Sequence, residues 1–239
     1  MIKKISYILA VSLVLLLSTK NAIASEYQEY GVYVEPTSEV TDYIQNFNSY
    51  VSKKGIFDKY NLKPFLDRDF PVHITLYLTS FDEKDISNIE KKLVHISNNQ
   101  APFSIQTTDI IADHSGYVML NIKDNSDLQR LSNRTVSSLF KYRNHDYPMP
   151  SWVEYHPAKM ESFKQYGSPN TFDEFNPHFT LMAFDFENDN QREEFLEDMT
   201  AAIIEYKQQT IDAKVDRVGF GKVEKHGQIV EKLTVEDFR

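Results

Sequence analysis

Two short segments, far apart in the chain, are written to one pattern. Residues 70–78 read FPVHITLYL and residues 176–184 read NPHFTLMAF. Each has a proline, then histidine, one apolar residue, threonine, leucine and a further apolar run. Such segments predict strands, on which successive side chains point to opposite faces. On the first, His73, Thr75 and Tyr77 share one face, and Val72, Ile74, Leu76 and Leu78 the other. On the second, His178, Thr180 and Met182 oppose Phe179, Leu181 and Ala183. The apolar faces need helices packed over them, so the His/Thr faces are expected to look away from that core, into a groove.

The rest of the chain supplies those helices and further strands. Residues 29–35 read as a strand. A helix follows with Val40, Tyr43, Ile44, Phe47 and Val51 at helical spacing and Gly55 as its stop. After the first motif, Ser80 and Glu83 form a capping-box pattern ahead of Ile86, Ile89, Leu93 and Ile96. Strands at 102–111 and 116–122 join through the turn at 112–115, and a helix begins at Ser126. Behind the second motif come a helix with Phe195, Met199, Ala202 and Ile203 inward and a strand pair around the turn at 224–227. Each half thus runs strand, helix, strand, strand from its His-x-Thr. The expectation is an α+β fold of two pseudo-symmetric lobes, about 25–140 and 141–239, each an antiparallel sheet packed by helices, with the active cleft between them. Between the lobes, residues 141–175 are rich in proline and aromatics and have no sustained period. They predict an ordered irregular segment with one short strand at 151–156.

The first 24 residues predict a cleavable export signal. Lys3 and Lys4 precede an apolar run at 5–17, and Ala22 and Ala24 stand in an A-x-A arrangement. The run is shorter than the ~20 residues of a spanning helix. The expected location is therefore periplasmic or secreted, with no membrane attachment after cleavage. The chain contains no cysteine, so an exported fold here rests on core burial without disulfides. The formal net charge is −9, and losing Lys3, Lys4 and Lys20 deepens it. That field disfavours long nucleic acids, whose binding needs a basic footprint, and favours a small ligand.

Two imidazoles and two hydroxyls converging in one cleft suit phosphoester chemistry. Displacement at phosphorus needs one group to deprotonate the attacking oxygen and another to protonate the leaving one. Histidine titrates near neutrality and does either. His73 and His178 on opposite sides of one phosphate would do both, while Thr75 and Thr180 donate to its nonbridging oxygens. No metal is required. Zinc is the competing chemistry, with Asp173 or Glu174 as a further ligand, but a site usually wants three or four ligands. A non-catalytic module that holds a phosphate, a nucleotide or a protein partner is the competing class.

The motifs HIT at 73–75 and HFT at 178–180 resemble the two-histidine (2H) phosphoesterase superfamily, in its RNA-ligase-like and cyclic-phosphodiesterase branch. The resemblance implies a bilobal α+β fold and metal-independent, cofactor-free cleavage of a phosphodiester, often a 2′,3′-cyclic phosphate, in a small nucleotide. It assigns His73 and His178 as the acid/base pair, with His178 the base and His73 the acid, and Thr75 and Thr180 as phosphate holders. Export departs from the mostly intracellular RNA-processing members and speaks against a tRNA-splicing or RNA-ligating role.

Aromatic residues near the motifs are candidates for stacking a base: Tyr77, on the face of His73, then Tyr33 and Trp152. Of the other histidines, His95, His114, His145 and His226 read as solvated surface residues, and His156 as the one able to approach the cleft.

Overall fold

The computed structural model describes residues 27–239; the expected export signal lies outside the described residues. The chain builds an α+β fold around one antiparallel sheet of seven strands. In order these elements are β1 (Glu29–Pro36), helix α1 (Ser38–Lys53), the short α2 (Ile56–Tyr60), β2 (Ile74–Ser80), α3 (Ile86–Ser97), β3 (Phe103–Ala112), β4 (Tyr117–Ile122), α4 (Ser126–Leu139), α5 (Pro157–Tyr166), β5 (His178–Ala183), α6 (Asp189–Glu205), β6 (Asp212–Val223) and β7 (Ile229–Asp237). The strand order is β1-β2-β5-β4-β3-β6-β7, and β1 also pairs with β6, so the sheet closes on itself.

The amphipathic helices fold as their spacing predicts. Val40, Tyr43, Ile44, Phe47 and Val51 of α1 are buried, as are Ile89, Leu93 and Ile96 of α3 and Phe195, Met199, Ala202 and Ile203 of α6. Together with Leu128, Leu131, Val136 and Leu139 of α4, they form the main core against one face of the sheet. Asn125 caps α4 by accepting from the amides of Asp127 and Leu128. The capping box expected at Ser80 is absent. Ser80 is the last residue of β2, and a 3-10 turn at Glu83–Asp85 leads into α3.

The sheet does not divide near residue 140. β5, from the second half, pairs with β4 from the first, and β6 pairs with β1. The irregular segment also departs from expectation. Residues Ser151–Tyr155 form a 3-10 helix rather than a strand, and α5 follows, with Pro157 at its start and Gly167 (φ 72°) at its end. Proline costs nothing in the first helical turn, and glycine accepts the left-handed conformation that closes it. Among the described residues, no helix is long and apolar enough to cross a membrane.

Candidate active site

The two His-x-Thr-Leu motifs lie side by side at the centre of the sheet. β2 and β5 are antiparallel and meet through the pair Ile74 and Phe179. Both of these side chains are buried in the main core. Continuing that register by one residue in each direction sets His73 opposite Thr180 and Thr75 opposite His178. Each histidine therefore faces the threonine of the other motif across the strand gap. That places the histidines on a diagonal, and in a regular antiparallel pair such positions stand roughly 7–8 Å apart.

Both strands contain the same irregularity. Val32 of β1 pairs with Tyr77 and Tyr33 with Thr75, so Leu76 is the extra residue of a β-bulge. Val118 of β4 pairs with Met182 and Met119 with Thr180, so Leu181 is extra in the same way. In each motif, then, the leucine is skipped and the residue after it stays on the core face. Tyr77 is 1% exposed and Met182 is fully buried, both in the main core. This corrects the strict alternation expected for both strands. Tyr77 is not on the histidine face and cannot stack a base; its hydroxyl donates to the carbonyl of Tyr166. Leu78, expected on the core face, instead packs with Tyr33, Val223 and Ile229 in a small cluster apart from the main core.

The imidazoles are held alike. His73 Nδ1 lies 2.9 Å from the carbonyl oxygen of Pro71, and His178 Nδ1 lies 2.8 Å from that of Asn176. A carbonyl oxygen only accepts, so Nδ1 carries the hydrogen in each neutral ring and Nε2 is left to move a proton. Burial pushes both pKa values below the ordinary histidine range. For His73 the carbonyl of Pro71, the backbone of Gly227 and the charge of Glu35 work against that shift, while the His178 charge adds to it. For His178 the carbonyl of Asn176 and the charge of Asp113 oppose it. The His178 charge thus reaches the His73 ring.

The burial of the pair is unequal. His73 is 6% exposed, whereas Thr75, His178 and Thr180 are half-buried. The β6–β7 turn covers the first motif. Gly227, in a left-handed conformation, brings its backbone against His73. The turn is tied to the end of β5, where Lys225 pairs with Asp185 and His226 Nε2 lies 3.4 Å from Asp185 Oδ1. His226 Nδ1 is 3.2 Å from Glu224, and its ring packs near Phe65 and Tyr117. His226 is thus not the solvated residue its turn position suggested. Only tertiary packing reveals this, because the ring's neighbours come from three distant segments.

The remaining candidates are not gathered here as expected. Tyr33, opposite Thr75, is on the groove side but 0% exposed, edge-on to His73 with ring centroids 5.5 Å apart. It offers no open face to a base. Trp152 is 46% exposed on the 3-10 turn, and the ring beside it is that of His156. Glu174 pairs with Lys159 at 3.4 Å, and among the described residues no three His, Asp or Glu side chains group as metal ligands.

A single antiparallel sheet carrying two His-x-Thr motifs in mirrored register defines the class of α+β protein to which this chain is to be compared. A family profile described as the 2'-5' RNA ligase superfamily matches residues 59–227, a span that includes both motifs. The chain belongs to this superfamily, that of the 2H phosphoesterases. Solved structures share the fold at low sequence identity. TT0787 of Thermus thermophilus is 12% identical with a TM-score of 0.52, covering 88% of this chain and 98% of that one. E. coli LigT complexed with 3'-AMP is 14% identical with a TM-score of 0.51, covering 89% and 99%. Among curated protein sequences, none matches this chain significantly. Members of this superfamily are phosphodiesterases.

Proposed function

We propose that this protein is an exported, metal-independent phosphodiesterase that opens a small cyclic phosphate of the 2′,3′ type by two-histidine acid–base catalysis. The observation that supports this reading is the Ile74–Phe179 pairing, which brings the two His-x-Thr motifs onto neighbouring strands. His178, the more open of the pair, takes a proton from water at Nε2, and the hydroxide formed attacks phosphorus. His73 gives a proton to the oxygen that leaves, and Thr75 and Thr180 donate to the nonbridging oxygens. One P–O bond forms and one breaks, and each histidine ends in the protonation state with which the other began. A nucleotide monophosphate is the expected product class, in keeping with the 3'-AMP complex of LigT.

Hydrolysis of a 2′,3′-cyclic nucleotide is expected to persist in EDTA and to show a bell-shaped pH profile. The acid limb reports protonation of the base and the alkaline limb loss of the proton from the acid. Both groups titrate below the usual histidine value, so the maximum of kcat/KM should fall below about pH 6.5. Loss of activity in EDTA that added zinc restores would overturn the metal-free reading. Calorimetric binding without product after long incubation would favour the non-catalytic module instead.

Export is supported by Lys3, Lys4, the apolar run at 5–17 and the Ala22–Ala24 arrangement. Expressed with its full leader in a secretion-competent host, the mature protein is expected to begin at Ser25. Intact mass with Met1 retained in the cell pellet would reject export.

A further inference from the structure

We propose that Tyr33 and Gly219, on neighbouring strands β1 and β6, form a backstop that positions the His73 imidazole for proton transfer. The inference rests on the assignment of His73 to the reacting pair. His73 has one ring hydrogen bond to a carbonyl two residues away, from Nδ1 to Pro71. The backbone of Gly227 also meets the ring, but polar contacts at the ring's edge do not support its face, which packing against a neighbouring side chain does. Tyr33 supplies that contact, with its ring at 70° to the imidazole and centroids 5.5 Å apart. This is the edge-to-face range of aromatic pairs.

Tyr33 holds its own position because Gly219 has no side chain. The two residues pair across β1 and β6. A Cβ on Gly219 would stand 2.5 Å from Tyr33 Cε2 and 2.6 Å from its Oη, and closer still to Cζ. Gly219 is not among the residues with positive φ, so any residue could adopt its backbone; what the site needs from it is space. The tyrosine ring therefore leans over β6, with Leu78, Val223 and Ile229 packed around it. Its hydroxyl is buried and has no hydrogen-bond partner. A buried hydroxyl without a partner costs stability, so what the site keeps is the ring and its placement. The charged and titratable groups facing His73 are His178 and Glu35, and Glu35 is itself paired with Lys232 at 2.5 Å.

The test is Gly219→Ala, a change on a strand that carries neither motif. Imidazole nitrogen NMR of the labelled protein, followed through a pH titration, reads both rings. The expected result is that the His73 tautomer pattern and titration midpoint move while those of His178 stay, and that kcat on the cyclic nucleotide falls roughly 10- to 100-fold with KM little changed. Should Gly219→Ala fold poorly, Gly219→Ala/Tyr33→Leu removes the clash. It is expected to regain thermal stability while His73 stays displaced and kcat stays low. Tyr33→Phe keeps the ring and should keep the His73 signature, with stability equal or higher once the unpaired hydroxyl is gone. Wild-type His73 spectra in folded Gly219→Ala, or in the double variant, would overturn the backstop. Absence of turnover in the wild type would strike the phosphodiesterase reading alone, since the NMR arm still decides whether Tyr33 and Gly219 orient His73.

Discussion

His73→Ala and His178→Ala should each lower kcat on a 2′,3′-cyclic nucleotide by about 10²–10⁴-fold, the usual worth of one acid or base group. The two losses should differ in kind. The proposed acid matters only as far as the leaving oxygen needs a proton. A phosphodiester with a nitrophenolate leaving group departs without one. On such a substrate His73→Ala should recover most of its activity while His178→Ala, lacking the base, should not. Steady-state kinetics of both variants on both substrates checks this. Equal rescue of the two would remove the assignment of roles, and wild-type rates in both would remove the histidines from the mechanism. Neither change is expected to unfold the chain, since His178 is half-buried and His73 already faces the groove rather than the main core.

Phe179→Ala should be the most destabilising single change near the site, by about 3–5 kcal/mol. Phe179 is 1% exposed and is the β5 partner of both Ile74 on β2 and Leu120 on β4. Truncation leaves a cavity at the one residue pair that joins β2 to β5. The chain has no cysteine and so no disulfide to offset the loss. Against a total stability of about 5–15 kcal/mol, the urea midpoint should fall by about a fifth or more. A drop below about 1 kcal/mol would show that the neighbouring core, not this pair, holds the motifs together. Because His178 and Thr180 flank Phe179, activity should fall even under conditions where the variant stays folded.

Much of the site was legible in the sequence, for a definite reason. Alternation fixed which side chains leave the core, and Ile74, Leu76, Phe179 and Leu181 are all buried as that rule requires. The rule failed one residue later in both strands. A bulge at a leucine has no local signature, because only the partner strand's register reveals it, and so alternation alone puts Tyr77 and Met182 on the wrong face. Helix α5 is hard to read from the sequence for a different reason. Its aromatic and proline-rich surroundings hid a weak apolar period, although Pro157 and Gly167 at its two ends were readable as start and stop signals. The interleaving of β5 and β6 with strands of the first half was also out of reach, since a repeat of element order does not say which strands become neighbours.

The turn over His73 has a consequence for how the groove exchanges its contents. Its tie to β5 has two parts: the largely buried His226 beside Asp185, and the pair Lys225 and Asp185, whose side chains are 65% and 67% exposed. An ion pair so open to water is worth about 0–1 kcal/mol, and dissolved salt weakens it further. A fastening of that strength is comparable to thermal agitation. Salt therefore loosens only the outer part of this fastening, and the groove's contents exchange past a turn that the His226 ring, packed near Phe65 and Tyr117, still holds.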